Sequence, residues 1–305
     1  MPAVNSGAFT PLEDWRFSHF RHHETFANLD ARGYGDITLM TVDEYLRASP
    51  AKRFQYRLYR NPLVMFGLGP LFHFMFRQRF PTRHTGRLEH RSVLVTDLGI
   101  VAVALILSSL MGWKAYLLIQ SAVLWMAGAA GIWLFYVQHQ FEGVYWARTA
   151  EWDPVRAAFL GASFYDLPAV LRWFSGNIGY HYVHHIDYGI PNYNLRSCYR
   201  AIPELRRKAP LTWRKSLRGV RLKLWDEEAH SLVEWPHPRI EGGKGLRHAV
   251  SAKLGVLRTP RRGRTDSRGI HPALEEQTQL PGGPRRSWDE WLCLEHAGNF
   301  QCGHL

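Results

Sequence analysis

Two long apolar stretches with almost nothing between them constrain this chain more than any other feature. Residues 115–137 carry no charged side chain, and residues 93–111 carry only Asp97. Gly112, Trp113 and Lys114 alone separate the two. Stretches of about 20 residues match a hydrocarbon layer about 30 Å thick. Both are apolar all round rather than along one stripe, which favours a bilayer over the core of a soluble protein. The expected fold class is therefore an all-α membrane protein built on a transmembrane helical hairpin. Arg77, Arg79, Arg83, Arg87 and Arg91 precede the first stretch, and Arg148 and Arg156 follow the second, while the turn offers only Lys114. Positive charge gathers on the cytoplasmic side, so both flanks, and whatever site they build, are expected to face the cytoplasm.

The flanks carry the same pattern twice. His19-Phe20-Arg21-His22-His23 lies before the hairpin and His181-Tyr182-Val183-His184-His185 after it. On a helix, residues three and four apart share a face, so each box is expected to aim three imidazoles at one point. Six neutral nitrogen ligands are too many for one tetrahedral zinc. They suit a pair of metal ions of intermediate softness, with iron the leading choice. His139, just past the second apolar stretch, is either a seventh ligand or an interfacial histidine. Asn177 stands four residues before His181; it either holds a metal-bound water and orients a ligand, or caps the helix. His73, alone on an apolar segment, reads as a packed or interfacial histidine.

Residues 1–92 read as cytosolic and interfacial helices. Pro11 marks a helix start leading into the first box, and Thr41 caps a short helix through Glu44. Residues 61–76 are apolar but broken by Gly67, Gly69 and Pro70, which suggests an interfacial or re-entrant segment. Residues 138–235 read as a cytosolic helical region carrying the second box, with 153–177 lying on or dipping into the interface. From Arg196 to Lys223 there are ten Lys and Arg against one acid, Glu204. Such a face is solvated, and beside a membrane it also suits anionic headgroups or an acidic redox protein. Residues 236–305 are rich in Gly, Pro, Arg and Ser, and a basic, disordered tail is expected. Cys293, His296, Cys302 and His304 are too cramped there for a zinc site. The net charge of +12 suits a membrane surface or an acidic partner. Three cysteines give no disulfide framework, and the first thirty residues hold no signal-peptide core.

Several pieces together resemble the membrane-bound fatty acid desaturases of the omega-6 (delta-12) acyl-lipid type. Besides the two boxes they are Asn28-Leu29-Asp30, Gly33-x-Gly35-Asp36, Tyr59-Arg60-Asn61-Pro62-Leu63 and Gln138-His139-Gln140-Phe141-Glu142. Gly176-Asn177-Ile178-Gly179-Tyr180, Ile190-Pro191-Asn192-Tyr193 and Leu224-Trp225-Asp226-Glu227 complete the set. The resemblance implies that His19, His22, His23, His181, His184 and His185 bind iron, with His139 as an additional ligand. It makes Asn28, like Asn177, a candidate for holding water beside the metal. It also implies a further His-Asp-x-x-x-His box, for which the 18 residues before His19 have no match. The chain is thus expected to begin inside a longer family member. Gly189, where relatives often carry Arg, and the tail also depart from the family.

The implied chemistry is O2-dependent insertion of a cis double bond into a lipid acyl chain at a cytosolic di-iron centre. Electrons would come from a separate ferredoxin or cytochrome b5 type carrier, since Leu280-Pro281-Gly282-Gly283 lacks a haem-binding histidine. No nucleic-acid partner is expected. A non-catalytic relative with an incomplete metal site and an acyl hydroxylase are the competing readings. Because imidazole binds metal only when neutral, binding is expected to weaken as pH falls through about 6.5.

Overall fold

The computed structural model describes residues 9–81 and 85–236; the tail, including its Cys/His group, lies outside the described residues. Residues up to 192 together with 210–235 form one compact unit, and 193–209 belong to a second. The second contributes, among the described residues, a helix at Leu195–Ala201 and a 3-10 turn at Leu205–Arg207.

In the main unit, α1 (Leu12–Thr25) starts after Pro11 with Glu13 and Asp14 in its first turn, where carboxylates oppose the positive end of the helix dipole. Two short helices, α2 (Val42–Arg47) and α3 (Pro50–Tyr59), follow. Thr41 and Glu44 close a reciprocal capping box at the start of α2, as the sequence suggests. The hairpin consists of α5 (Arg87–Met111) and α6 (Trp113–His139), two helices long and apolar enough to cross a membrane. The turn is tighter than expected. Gly112 alone leaves the helical conformation, at φ 82°, a region that glycine enters without a Cβ clash. Asp97, the one acid in the apolar part of α5, pairs with Arg79 at 2.5 Å.

Residues 61–76 form a π-helical turn, Leu63–Leu68, running into α4 (Gly69–Met75). They pack along the middle of α6. The indole of Trp125 donates to the Gly67 carbonyl at 2.8 Å, and Gly128 has no room for a Cβ against Pro70 and Phe74.

After α6, residues 154–161 make one irregular helical stretch, ending in the π-helical Ala157–Gly161. Then come α7 (Ala169–Phe174), α8 (His181–Ile186) and α10 (Trp213–Gly219), the Leu195–Ala201 helix being α9. The fold is mostly helical, in line with the expected class, and adds one small sheet to it. A three-stranded sheet joins β1 (Met40–Thr41), β2 (Leu224–Asp226) and β3 (Ser231–Val233) in that order. β1 runs parallel to β2, with Met40 opposite Leu224, and β2 runs antiparallel to β3. Strands of two or three residues carry too little alternation to register in sequence, but the backbone turn is explicit: Asp226 Oδ1 accepts from the amides of Glu228 and Ala229.

The buried Arg60 fastens the end of α3 to the end of α6. Its guanidinium donates to Gln140 Oε1 at 2.9 Å and to the Leu222 carbonyl at 3.0 Å, and Lys223 Nζ donates back to the Arg60 carbonyl at 2.7 Å.

Candidate metal centre

The end of α6, one face of α1 and the whole of α8 converge on one point. α1 reaches it because it packs beside the start of α5, where the Glu13 amide donates to Ser92 Oγ at 3.1 Å. α8 reaches it because Gly179 lies against the Tyr165 carbonyl with no space for a side chain, and the Tyr182 amide donates to the Ser163 carbonyl.

All seven expected histidines are there, but not as two independent triads. His19, His23 and His184 bring their Nε2 atoms into a triangle with every edge 3.1 Å. His139 and His181 approach Nε2 to Nε2 at 3.0 Å, and His181 and His185 at 3.1 Å. His22 joins this second group, its ligand atom and those of His139 and His185 lying within 4.8 Å of one another. Each box therefore splits two to one, which corrects the expectation that each aims at a single point. The reason is helical geometry. Going four residues along advances about 40° past a full turn and going three falls about 60° short, so the two directions diverge by about 100°. His19 and His23, four apart, serve one group, while His22, three along from His19, serves the other. α8 mirrors this, with His181 and His185 in one group and His184 crossing to the first.

The donor set fits a metal. Three imidazole nitrogens on perpendicular bonds of about 2.1 Å stand roughly 3.0 Å apart, close to the observed triangle. In the tautomers that turn all three Nε2 lone pairs inward, a cation between them relieves their repulsion. His22 gives an independent sign. Its Nδ1 meets Asp36 Oδ1 at 2.7 Å with both side chains buried, which fixes the proton on Nδ1 and leaves Nε2 as a lone pair. That Nε2 is buried without a hydrogen-bond partner among the described residues, and it lies within the second group.

Burial disfavours the protonated form of His19, His181, His184 and His185. His19 and His184 are pushed down to about 4, chiefly by loss of solvent and then by neighbouring histidines. His181 and His185 lie well below their ordinary range for the same first reason. The two groups differ in access. His19, His23 and His184 are half-buried, whereas His22, His139 and His185 are buried. Phe26 seals the second group, its ring centroid 4.3 Å from that of His139 and 4.8 Å from that of His185. Gly161 makes room for that ring, since a Cβ there would lie 2.6 Å from it.

The two asparagines are placed differently from expectation. Asn177 sits in a turn before α8, with φ 59°, so the same-face argument does not apply. Its Nδ2 donates to the Asn192 carbonyl at 3.2 Å, and the cap position of α8 is Tyr180. Asn28 Oδ1 accepts from the Asp30 amide and from Thr149 Oγ1, locking the 28–30 loop to residues 147–149 and not to the histidines. His73 stands apart, 3.2 Å from Gln78 Nε2. Sequence reasoning passed over Asp36, Phe26 and Gly161. Only Asp36 left a signal, as the acid closing the Gly33-x-Gly35 loop, where both glycines have positive φ.

Fold and site together define a class: a mostly helical protein with an apolar hairpin long enough to span a membrane, bearing two adjacent imidazole clusters able to hold metal. The sequence model of the fatty acid desaturase family matches residues 4–216, and the chain belongs to that family. It is 42% identical over 225 residues to a fatty acid desaturase of Bacillus subtilis, covering 74% of this chain and 64% of that protein. It is 24% identical over 214 residues to the chloroplastic omega-6 fatty acid desaturase of Arabidopsis thaliana, covering 66% of the chain and 45% of the relative. An sn-1 oleoyl-lipid 12-desaturase of Synechocystis is 25% identical over 209 residues, 64% of this chain and 55% of that protein. The chain thus spans about half to two thirds of the length of these relatives.

Proposed function

We propose that this chain carries the di-iron centre of an O2-dependent fatty acyl desaturase that places a cis double bond in a membrane lipid chain, of the delta-12 or omega-6 type. The observation that carries this reading is the pair of Nε2 clusters, His19/His23/His184 and His22/His139/His181/His185, interleaved at the end of an apolar hairpin. The printed names of the plant and cyanobacterial relatives support the position of the double bond.

Two irons, when bound, supply the one-electron steps by which O2 removes two hydrogens from an unactivated methylene pair; with two electrons and two protons the products are an alkene and two waters. The protein's part is geometric. Seven imidazoles would hold the two ions, and the Asp36 carboxylate accepts from His22 Nδ1 so that its Nε2 faces inward. Phe26 excludes water from the four-histidine side. Trp15, stacked 4.7 Å from His19, and Tyr188, 5.4 Å from His23, border the three-histidine side. The flanks of the hairpin face the cytoplasm in this reading, and a separate ferredoxin or cytochrome b5 type carrier delivers the electrons there. The residues meet acyl chains at membrane depth because both hairpin helices expose apolar side chains along their length.

The test is expression in a host whose lipids carry oleoyl chains, with gas chromatography of the methyl esters. A dienoic product, absent from a His184→Ala variant, supports the assignment. Iron-loaded protein, supplied with a reduced carrier, that leaves the oleoyl pool untouched rejects it. A hydroxylated product would assign the sister reaction to the same site.

A further inference from the structure

α10 carries a charged surface that the metal centre does not use. Between Pro210 and Trp225 there is no acidic residue, and Arg214, Lys215, Arg218 and Arg221 are all exposed. Among the described residues none of these four takes part in an ion pair. On the same helix Trp213 and Leu217, four apart and so on one face, are exposed as well, Trp213 at 60%. An adjoining face is anchored: Ser216 is buried 3.3 Å from the Tyr165 hydroxyl, and Gly219 lies against the Gln140 carbonyl with no room for a Cβ.

The depth of this surface is fixed by its contacts with α6. The Tyr136 hydroxyl donates to the Gly219 carbonyl at 3.1 Å, and the ring of Trp213 is 5.7 Å from that of Trp133. Trp133 precedes the last residue of α6 by six positions, about 9 Å along the axis. α10 is thus level with the end of an apolar span, where a bilayer changes from hydrocarbon to headgroup. α7 stands beside it, because the Asp166 amide donates to the Leu211 carbonyl at 3.2 Å just ahead of both helices. It bares Trp173 and Phe174, about three quarters exposed. The turn after α7 is tied to the end of the span by Gln138 Nε2, which donates to the Ile178 carbonyl at 3.2 Å.

Exposed aromatics beside unpaired cations, at the rim of an apolar span, make the composition of an interfacial anchor. We propose that α10 and the turn after it form a binding surface for anionic phospholipid headgroups, with Trp213 and Leu217 in the interface and Arg214, Lys215, Arg218 and Arg221 on the phosphates. The proposal rests on α5 and α6 spanning a membrane. Retention of the chain in alkaline-carbonate-washed membranes tests that premise by itself.

The decisive experiment is native mass spectrometry of the full chain in detergent, titrated with phosphatidylglycerol or phosphatidylcholine. The variant removes the four charges (Arg214→Gln, Lys215→Gln, Arg218→Gln, Arg221→Gln), all at exposed positions. Wild type should retain phosphatidylglycerol at least about tenfold better than phosphatidylcholine at low salt, a preference falling steeply in 1 M NaCl. The variant, with unchanged melting temperature, should lose it. Equal retention of the two lipids by wild type overturns the proposal, as does a variant that keeps the preference. Salt-sensitive capture of an acidic ferredoxin by wild type, with no lipid preference, also overturns it and gives the face to a protein partner.

Discussion

At the scale of single residues, Asp36 and His22 make the most decisive contact in the site, since one carboxylate selects the tautomer of a buried ligand. Asp36→Asn should lower metal affinity about 10- to 100-fold with little change in helix content, measured by chelator competition on purified protein. An unchanged affinity would mean that His22 finds its tautomer unaided. Acid should act in a definite direction. The unfolded chain's histidines take up protons near 6.5, while His19 and His184 in the fold do so only near 4. Folded-state values are thus depressed, so the metal-free fold has full stability above pH 6.5 and loses it as pH falls through 4. Proton competition for metal within the intact fold likewise begins near 4, lower than the 6.5 expected from free imidazole. A titration of metal retention against pH checks this, and half-loss near 6.5 with the fold intact would contradict the burial argument. Asp36 itself was legible only as one letter of a loop motif, because nothing in a sequence says which acid fourteen residues away will reach a ring nitrogen.

At the scale of elements, the sequence read the largest parts best. Both long helices and the capped start of α2 follow from uniform apolarity and from the Thr41–Glu44 spacing. The split of each box between two clusters was already implicit in the three-and-four spacing, yet it needed two facing helices to become visible. The sheet escaped notice because β1 has two residues and its partner lies far along the chain. The placement of α8 depends on a glycine. Gly179→Ala would put a Cβ 2.4 Å from the Tyr165 carbonyl oxygen, a backbone atom that cannot rotate away. The substitution should destabilise by about 1–3 kcal/mol and reduce bound metal, because α8 carries His181, His184 and His185 on one rigid turn. Thermal melts and metal analysis of the same sample would show it, and an unchanged pair of values would refute the packing argument.

At the scale of the whole molecule, the hairpin and the metal centre support one another. Metal that binds only the folded chain should raise the melting temperature, with about 2.7 kcal/mol added when free metal is a hundredfold above its dissociation constant. His19→Ala with His184→Ala should abolish most of that rise, and a rise of full size in the double variant would place the stabilising metal elsewhere. The contributing segments, residues 19–23, His139 and residues 181–185, are spread over more than half of the chain. During synthesis the first three histidines emerge long before their partners, and α5 and α6 must both be made before His139 appears. No iron atom can find its complete set of imidazoles on a nascent chain still missing α8. In the proposed reading metal loading therefore waits for the synthesis of α8, and iron scarcity would leave a folded but empty protein instead of a misfolded one.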